Sequence, residues 1–339
     1  MRIEVSHESP ISILEASREY NDYDYALVHL FETQPAYYSF FAESLKLGRK
    51  VYLDNSIFEL KKSFDPNKYL DWICKLKPTY YIVPDVLEDA DGTVRQLFKW
   101  FSRPGDNVDE SIENADNMTD GELAYNKQEV EWDSEKESRK TTCGSIGVVQ
   151  GRDWNELVRC YKIMSEMVDI VAISFDYNYY LHTGDGTNDS NTVWTDIVYN
   201  QAFDSPVEVE DADPMTCRLC IDKLTRYKTG RQRFITQLIN EGVWDWNKPH
   251  HLLGCSLASE FGYYVDKNVH NIVSIDTSNP VVAGLQGHKY IDQTGLRGKP
   301  KTLLADLIEW RVSDDEVGRY LDTIGYNTSM FKKILKRSV

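Results

Sequence analysis

The chain has 339 residues, 41% hydrophobic and 12% aromatic, with a formal net charge of −16. That length can bury a substantial core, either as two ordinary domains or as one large barrel. No apolar run approaches the ~18 residues of a membrane span, and the opening "MRIEVSHESP" lacks the charged-then-apolar pattern of a secretory signal, so a cytoplasmic protein with no membrane partner is expected.

Short apolar runs alternate along the chain with segments of helical period. "YDYALVHLF" (23–31) reads as a strand and "PAYYSFFAESLKLG" as a helix closing on Gly48. "KVYL" (50–53) is a strand, and "DPNKYLDWICKLK" a helix with Asp65 as N-cap and Pro66 at its first position. "TYYIV" (79–83) and "DGTVRQLFKWF" continue the alternation. Residues 104–140 carry turn residues and little periodicity and read as an inserted acidic loop, disordered in character. Between 106 and 137 there are twelve Asp and Glu against Lys127 and Lys136.

Alternation resumes with the strand "SIGVV" (145–149), the helix "DWNELVRCYKIMSEM" and the strand "VDIVAIS" (168–174). A second irregular insertion covers about 178–213. It is followed by a long helix near 214–241, the strand "HHLLG" (250–254), a short helix and the strand "NIVSI" (271–275). Helices are expected near 300–310, 313–324 and 328–337.

Strands separated by helices of ten or more residues imply βαβ units and a parallel sheet. Seven or eight such units favour an α/β fold of the (β/α)8 TIM-like barrel type over a doubly wound sheet, and no glycine-rich phosphate loop follows the first strand. The barrel, with its two insertions, is expected over residues 1–298, and a helical extension over 299–339.

Of the six cysteines, only Cys217 and Cys220 have metal-like spacing, and no second pair follows. Their segment reads as a helix, so packed free thiols are expected there, and no metal. The negative total argues against nucleic acid, but its distribution does not. The chain from Gln286 onward is mildly basic, and local fields decide which face meets a polyanion.

Polar residues recur at the strand ends. Asp54 follows "KVYL", Asp85 follows "YYIVP", Gln150 follows "IGVV", Ser174 ends "VAIS", Gly254 follows "HLL" and Asp276 follows "IVSI". Barrel active sites form at the C-terminal ends of strands, so these groups are expected to converge on one mouth. An Asp after a strand is often the N-cap of the next helix, and Asp276, with Thr277, Ser278 and Pro280 behind it, alone reads that way. Three carboxylates and a glutamine in the same placement read as a shared site. Such a set suits a divalent metal, glycoside chemistry or a base rich in N–H donors. His250, His251 and His270 fall at strand starts, the wrong end for metal ligands.

The motifs around these residues resemble those of the tRNA-guanine transglycosylase superfamily. "YLDNSIFEL" (52–60) resembles that family's Asp-Ser-Gly-Gly-Phe segment, and "YIVPDV" (81–86) the strand carrying its base-recognition Asp. "GVVQGRDWNELVRCY" (147–161) is similar to Gly-Ile-Val-Gln-Gly-Gly and the helix after it. "HLLGCS" (251–256) resembles Tyr-Leu-Met-Gly-Val-Gly, and "SIDTSNP" (274–280) resembles Phe-Asp-Cys-Val-Leu-Pro.

The resemblance implies Asp276 as the nucleophile at the sugar C1′ and Asp54 as the general acid and base. Asp85, Gln150 and Gly151 would read the purine edge, helped by backbone near Ser174 and Phe175. Phe58 and Leu253 would sandwich the ring beside Gly254. The Cys-x-Cys-x2-Cys…His zinc site of the tRNA enzymes is missing, so no cofactor is expected. The chain then looks most like the zinc-free phage and bacterial branch that inserts 7-deazaguanines into DNA, in the host cytoplasm for a phage enzyme. The implied partners are DNA and a 7-deazaguanine base. "GLRGKPK" (295–301), with Arg297, Lys299 and Lys301, and "FKKILKR" (331–337) are the expected backbone contacts. Alternatives are a hydrolytic DNA glycosylase, a tRNA-guanine transglycosylase and a non-enzymatic acidic binding protein.

Overall fold

A computed structural model describes residues 3–102, 106–117, 142–183, 223–255, 257–290 and 314–337. Eight parallel strands form one sheet in the order β1-β8-β7-β6-β5-β4-β3-β2, the topology of a nearly closed (β/α)8 TIM-like barrel. The strands are β1 (Glu4–Ser6), β2 (Asp24–Leu27), β3 (Val51–Asp54), β4 (Tyr80–Ile82), β5 (Gly144–Val148), β6 (Ile170–Ser174), β7 (His250–Leu253) and β8 (Ile272–Asp276). The chain divides into two compact units.

The unit Asn21–Ser174 with Asp245–His251 holds β2 to β6 and the start of β7. Its strands are rich in buried Val, Ile, Leu and Tyr, as expected of strands covered on both faces. The intervening helices carry their own start signals. Asp65 accepts from the Lys68 amide at 2.9 Å ahead of Pro66, Asp89 from Gly92 at 2.9 Å, and Asp153 from Glu156 at 3.0 Å. The Tyr69 hydroxyl, fully buried, lies 2.9 Å from the carbonyl oxygens of both Leu53 and Ile82 and so ties the ends of β3 and β4 together.

The other unit joins Met1–Tyr20, Phe175–Trp244 and Leu252–Val339. Here β1 pairs with β8 in register, Ser6 opposite Asp276. The helix Asp314–Arg337 packs against Asn279–Leu285, with Ile324 meeting Ile13, Val281 and Leu285 in one apolar cluster. No helix among the described residues is long and apolar enough to cross a membrane.

Five sequence expectations change. The start of the second insertion is helical, Asn178–Thr183 packing against Lys223–Asn240 with Tyr180 fully buried. The strand expected over 23–31 stops at Leu27, and Val28–Thr33 is helical. Val28, Leu30 and Phe31 are all buried, and a short apolar run fits either period. Strand β1 was not foreseen, because Glu4–Ser6 has only three residues and shows its strand character only by pairing with β8. Part of the acidic loop is ordered: Val108–Asn117 forms a helix packed along Ala90–Phe101, with Ala115 buried and Arg95 paired to Asp109. The helices expected over 313–324 and 328–337 are one continuous helix. Gly325 and Asn327 look like a break, but the buried Asn327 side chain donates to the carbonyls of Pro280 (3.1 Å) and His288 (2.8 Å) and accepts from the Tyr290 amide (2.9 Å). Tertiary hydrogen bonds thus outweigh the low helix propensity of that turn. Cys217, Cys220 and the helix expected near 300–310 lie outside the described residues.

Candidate active site

Asp54 is the last residue of β3 and does not cap the helix after it. One of its oxygens accepts the Ser56 amide at 2.5 Å, and the other accepts the Tyr25 hydroxyl. Ser56 has φ +59°, the left-handed region that favours glycine. That strained turn folds the Ser56 amide back onto the carboxylate. Tyr25 is buried, and its ring lies nearly parallel to that of His251, 6.2 Å away.

Asp85 lies in the same unit, almost completely buried. Asn55 Nδ2 donates to one of its oxygens and Gln150 Nε2 to the other, each at 2.7 Å. Both amides are anchored in turn: Asn55 Nδ2 also reaches the Val83 carbonyl at 3.1 Å, and Gln150 Oε1 accepts the Glu88 amide at 2.9 Å. Burial pushes the Asp85 carboxyl up to about 6, and the two amide donors hold it from rising further. Gly151 follows directly, and a Cβ there would come within 2.8 Å of the Leu157 backbone nitrogen, so only glycine fits that approach to the helix Trp154–Met167. Phe58 is 44% exposed, with the Lys61 ammonium 3.8 Å from its ring centroid.

A carboxyl whose folded value lies above its unfolded one binds its proton more tightly when folded. Asp85 therefore favours folding at low pH, and that contribution is lost as pH rises from about 4 to about 6. The difference in unfolding free energy between parent and Asp85→Asn, from urea titrations across pH, is expected to change by roughly 3 kcal/mol over this window. His250, kept neutral by burial down to about 3, has the opposite slope, which cancels in the comparison. At neutral pH the Asn side chain also leaves one of two fixed donors facing an N–H group, at a cost of about 1–3 kcal/mol.

In the other unit, Asp276 is the last residue of β8 and is buried. It is not a cap: the helix Asn279–Leu285 has Ser278 at its N-cap position, with no side-chain cap bond. Its Oδ1 accepts the Gly254 amide at 3.1 Å instead. Gly254 has φ +64°, and a Cβ there would lie 2.4 Å from Phe175 Cδ1, so the turn after β7 requires glycine twice over. Behind that turn, Arg231 and Glu260 form a fully buried ion pair at 2.7 Å. Arg231 also donates to the carbonyls of Leu253 and Gly254.

Asp54, Asp85, Gln150, Gly151, Phe58 and Ser174 thus belong to one unit, and Asp276, Gly254, Leu253 and Phe175 to the other. Asp54, Ser174 and Asp276 end their strands, and Ser174, Phe175 and Leu253 are half-buried. Arg297, Lys299 and Lys301 lie outside the described residues. Tyr25, Asn55, Arg231 and Glu260 escaped the sequence reading. Asn55 stood beside Asp54 in a quoted motif. Arg231 and Glu260, 29 positions apart, carry no local signal of their pairing. No protein-family profile matches the chain, and no curated protein matches it.

Proposed function

We propose that this chain is a base-exchange glycosyltransferase that replaces guanine in DNA by a 7-deazaguanine derivative. The observation that carries the reading is Asp276: a buried carboxylate that ends β8, caps no helix and accepts the Gly254 amide. In parallel barrels such strand-end groups are where catalysis occurs. Two glycine-favouring turns support it. Ser56, at φ +59°, stands where the resembled motif has glycine, and Gly254, at φ +64°, is glycine as in that motif.

In this reading an Asp276 oxygen attacks C1′ of the deoxyribose as the C1′–N9 bond of guanine breaks, leaving an aspartyl-deoxyribosyl ester. Asp54 gives a proton to the departing base. It then takes one from N9 of the incoming 7-deazaguanine, which displaces the carboxylate of Asp276, so the enzyme ends as it began. The guanine edge offers N–H donors, the same kind of group that Asn55 and Gln150 now present to Asp85. A bound base would exchange donor for donor at Asp85, with Gly151 alongside. Arg297, Lys299 and Lys301 would meet backbone phosphates.

Duplex DNA and tRNA incubated separately with labelled guanine and labelled 7-deazaguanines, then digested for nucleoside mass spectrometry, test this. Label in deoxynucleosides is the expected result. Label only in tRNA identifies a tRNA-guanine transglycosylase. Abasic sites without label identify a hydrolytic glycosylase. If neither polymer changes, the proposal fails.

A further inference from the structure

One hydrogen bond to Asp276 comes from a peptide unit that is gripped from its other end. The amide of Gly254 and the carbonyl of Leu253 belong to one planar trans peptide and point in opposite directions. Gly254 N donates to Asp276 Oδ1 at 3.1 Å, and Arg231 Nη1 donates to the Leu253 oxygen at 3.0 Å. A cation on the oxygen of an amide draws electron density from its nitrogen and strengthens the N–H as a donor. Arg231 Nη2 reaches the next carbonyl, that of Gly254, at 3.1 Å, which fixes the rotation of the turn.

The guanidinium is itself held in one orientation. Glu260 accepts from Nε at 2.7 Å and from Nη2 at 2.8 Å, the two-point geometry that arginine forms with a carboxylate. The Tyr264 hydroxyl donates to Glu260 at 2.5 Å, and Gln232 Nε2 donates to the Glu260 carbonyl at 2.9 Å. Both charged side chains are fully buried. A buried ion pair is weak evidence for stability as such, because desolvation offsets most of the attraction. Its geometry here is directed at one peptide.

We infer that Arg231, oriented by Glu260, is a positioning residue for Asp276: it polarises and aims the Leu253–Gly254 peptide, whose amide fixes the direction of the Asp276 carboxylate. The kinetic part of this inference rests on the base-exchange reading; the hydrogen-bond part does not.

The full chain carrying [13C′]leucine and [15N]glycine gives amide signals only from Leu-Gly pairs, and the sequence has two, Leu47-Gly48 and Leu253-Gly254. Gly48 serves as the internal control. Asp276→Asn is expected to move the Gly254 amide proton upfield, because a neutral acceptor is weaker than an anion. Arg231→Lys keeps the charge but loses the two-point geometry, and Glu260→Gln keeps the shape but loses the charge. Each is expected to move the Gly254 proton upfield while Gly48 stays in place. Each is also expected to lower kcat for exchange by about tenfold, the equivalent of one weakened hydrogen bond, with KM within twofold of the parent. If the amide and kcat stay at parent values in whichever variant folds, the inference is overturned, and exchange by the parent still stands. If the amide moves but the parent exchanges no base, the positioning role stands and the functional reading falls.

Discussion

Asp276→Asn is expected to abolish base exchange, lowering incorporation of label into DNA by at least ~10³-fold. Losses of this order and larger follow removal of a nucleophile whose partners cannot substitute for it. The substitution is nearly isosteric and keeps an oxygen to accept the Gly254 amide, so the turn after β7 should survive. On the base-exchange reading, what disappears is the carboxylate oxygen proposed to attack C1′. Denaturing electrophoresis of enzyme quenched in mid-reaction should show a protein–DNA adduct for the parent and none for the variant. Asp54→Asn should behave differently, because it removes a proton carrier and leaves the nucleophile. Loss of about 10²–10⁴-fold is expected there, with adduct still forming slowly on substrates whose leaving base needs no proton. Full activity of Asp276→Asn would place the nucleophile elsewhere.

The second large effect is on stability. Arg231→Met and Glu260→Leu are each expected to cost about 3–5 kcal/mol, since each strands a fully buried charge. The double variant removes both charges and should recover much of that loss, as apolar replacements of buried pairs generally do. It should not recover all of it. Arg231 also satisfies the carbonyls of Leu253 and Gly254, and neither Met nor Leu can donate to them, so a residual cost of about 1–3 kcal/mol remains. Urea unfolding of the parent, both single variants and the double variant closes the cycle. A double variant as stable as the parent would show that the two carbonyls do not depend on Arg231.

Much of the architecture could be read from the chain. The strands at 50–53, 79–83, 145–149, 168–174, 250–254 and 271–275 are found within two residues of those bounds, because each is a short run with apolar residues between helical periods, most of them β-branched or aromatic. The caps Asp65 and Asp153 mark the starts of their helices, because a capping carboxylate acts on amides only three residues away. Where the reading failed, the deciding partner was distant. Glu4–Ser6 is a strand because β8 lies beside it, and the helix through Gly325 persists because Asn327 reaches Pro280 and His288.

The same division runs through the candidate site. Sequence by itself determined the alternating pattern, and with it the parallel barrel and the strand-end placement of Asp54 and Asp276, since period and turn chemistry are local properties. Only the tertiary structure decided what those groups do with their hydrogen bonds. It showed that Asp276 accepts from Gly254 and is no helix cap, that Asp54 is paired with Tyr25, and that Asp85 is enclosed by Asn55 and Gln150. It also brought Arg231 and Glu260 together behind the turn that holds Asp276. A hydrogen bond depends on angstroms and angles between residues far apart in the chain, and no spacing along a sequence encodes them.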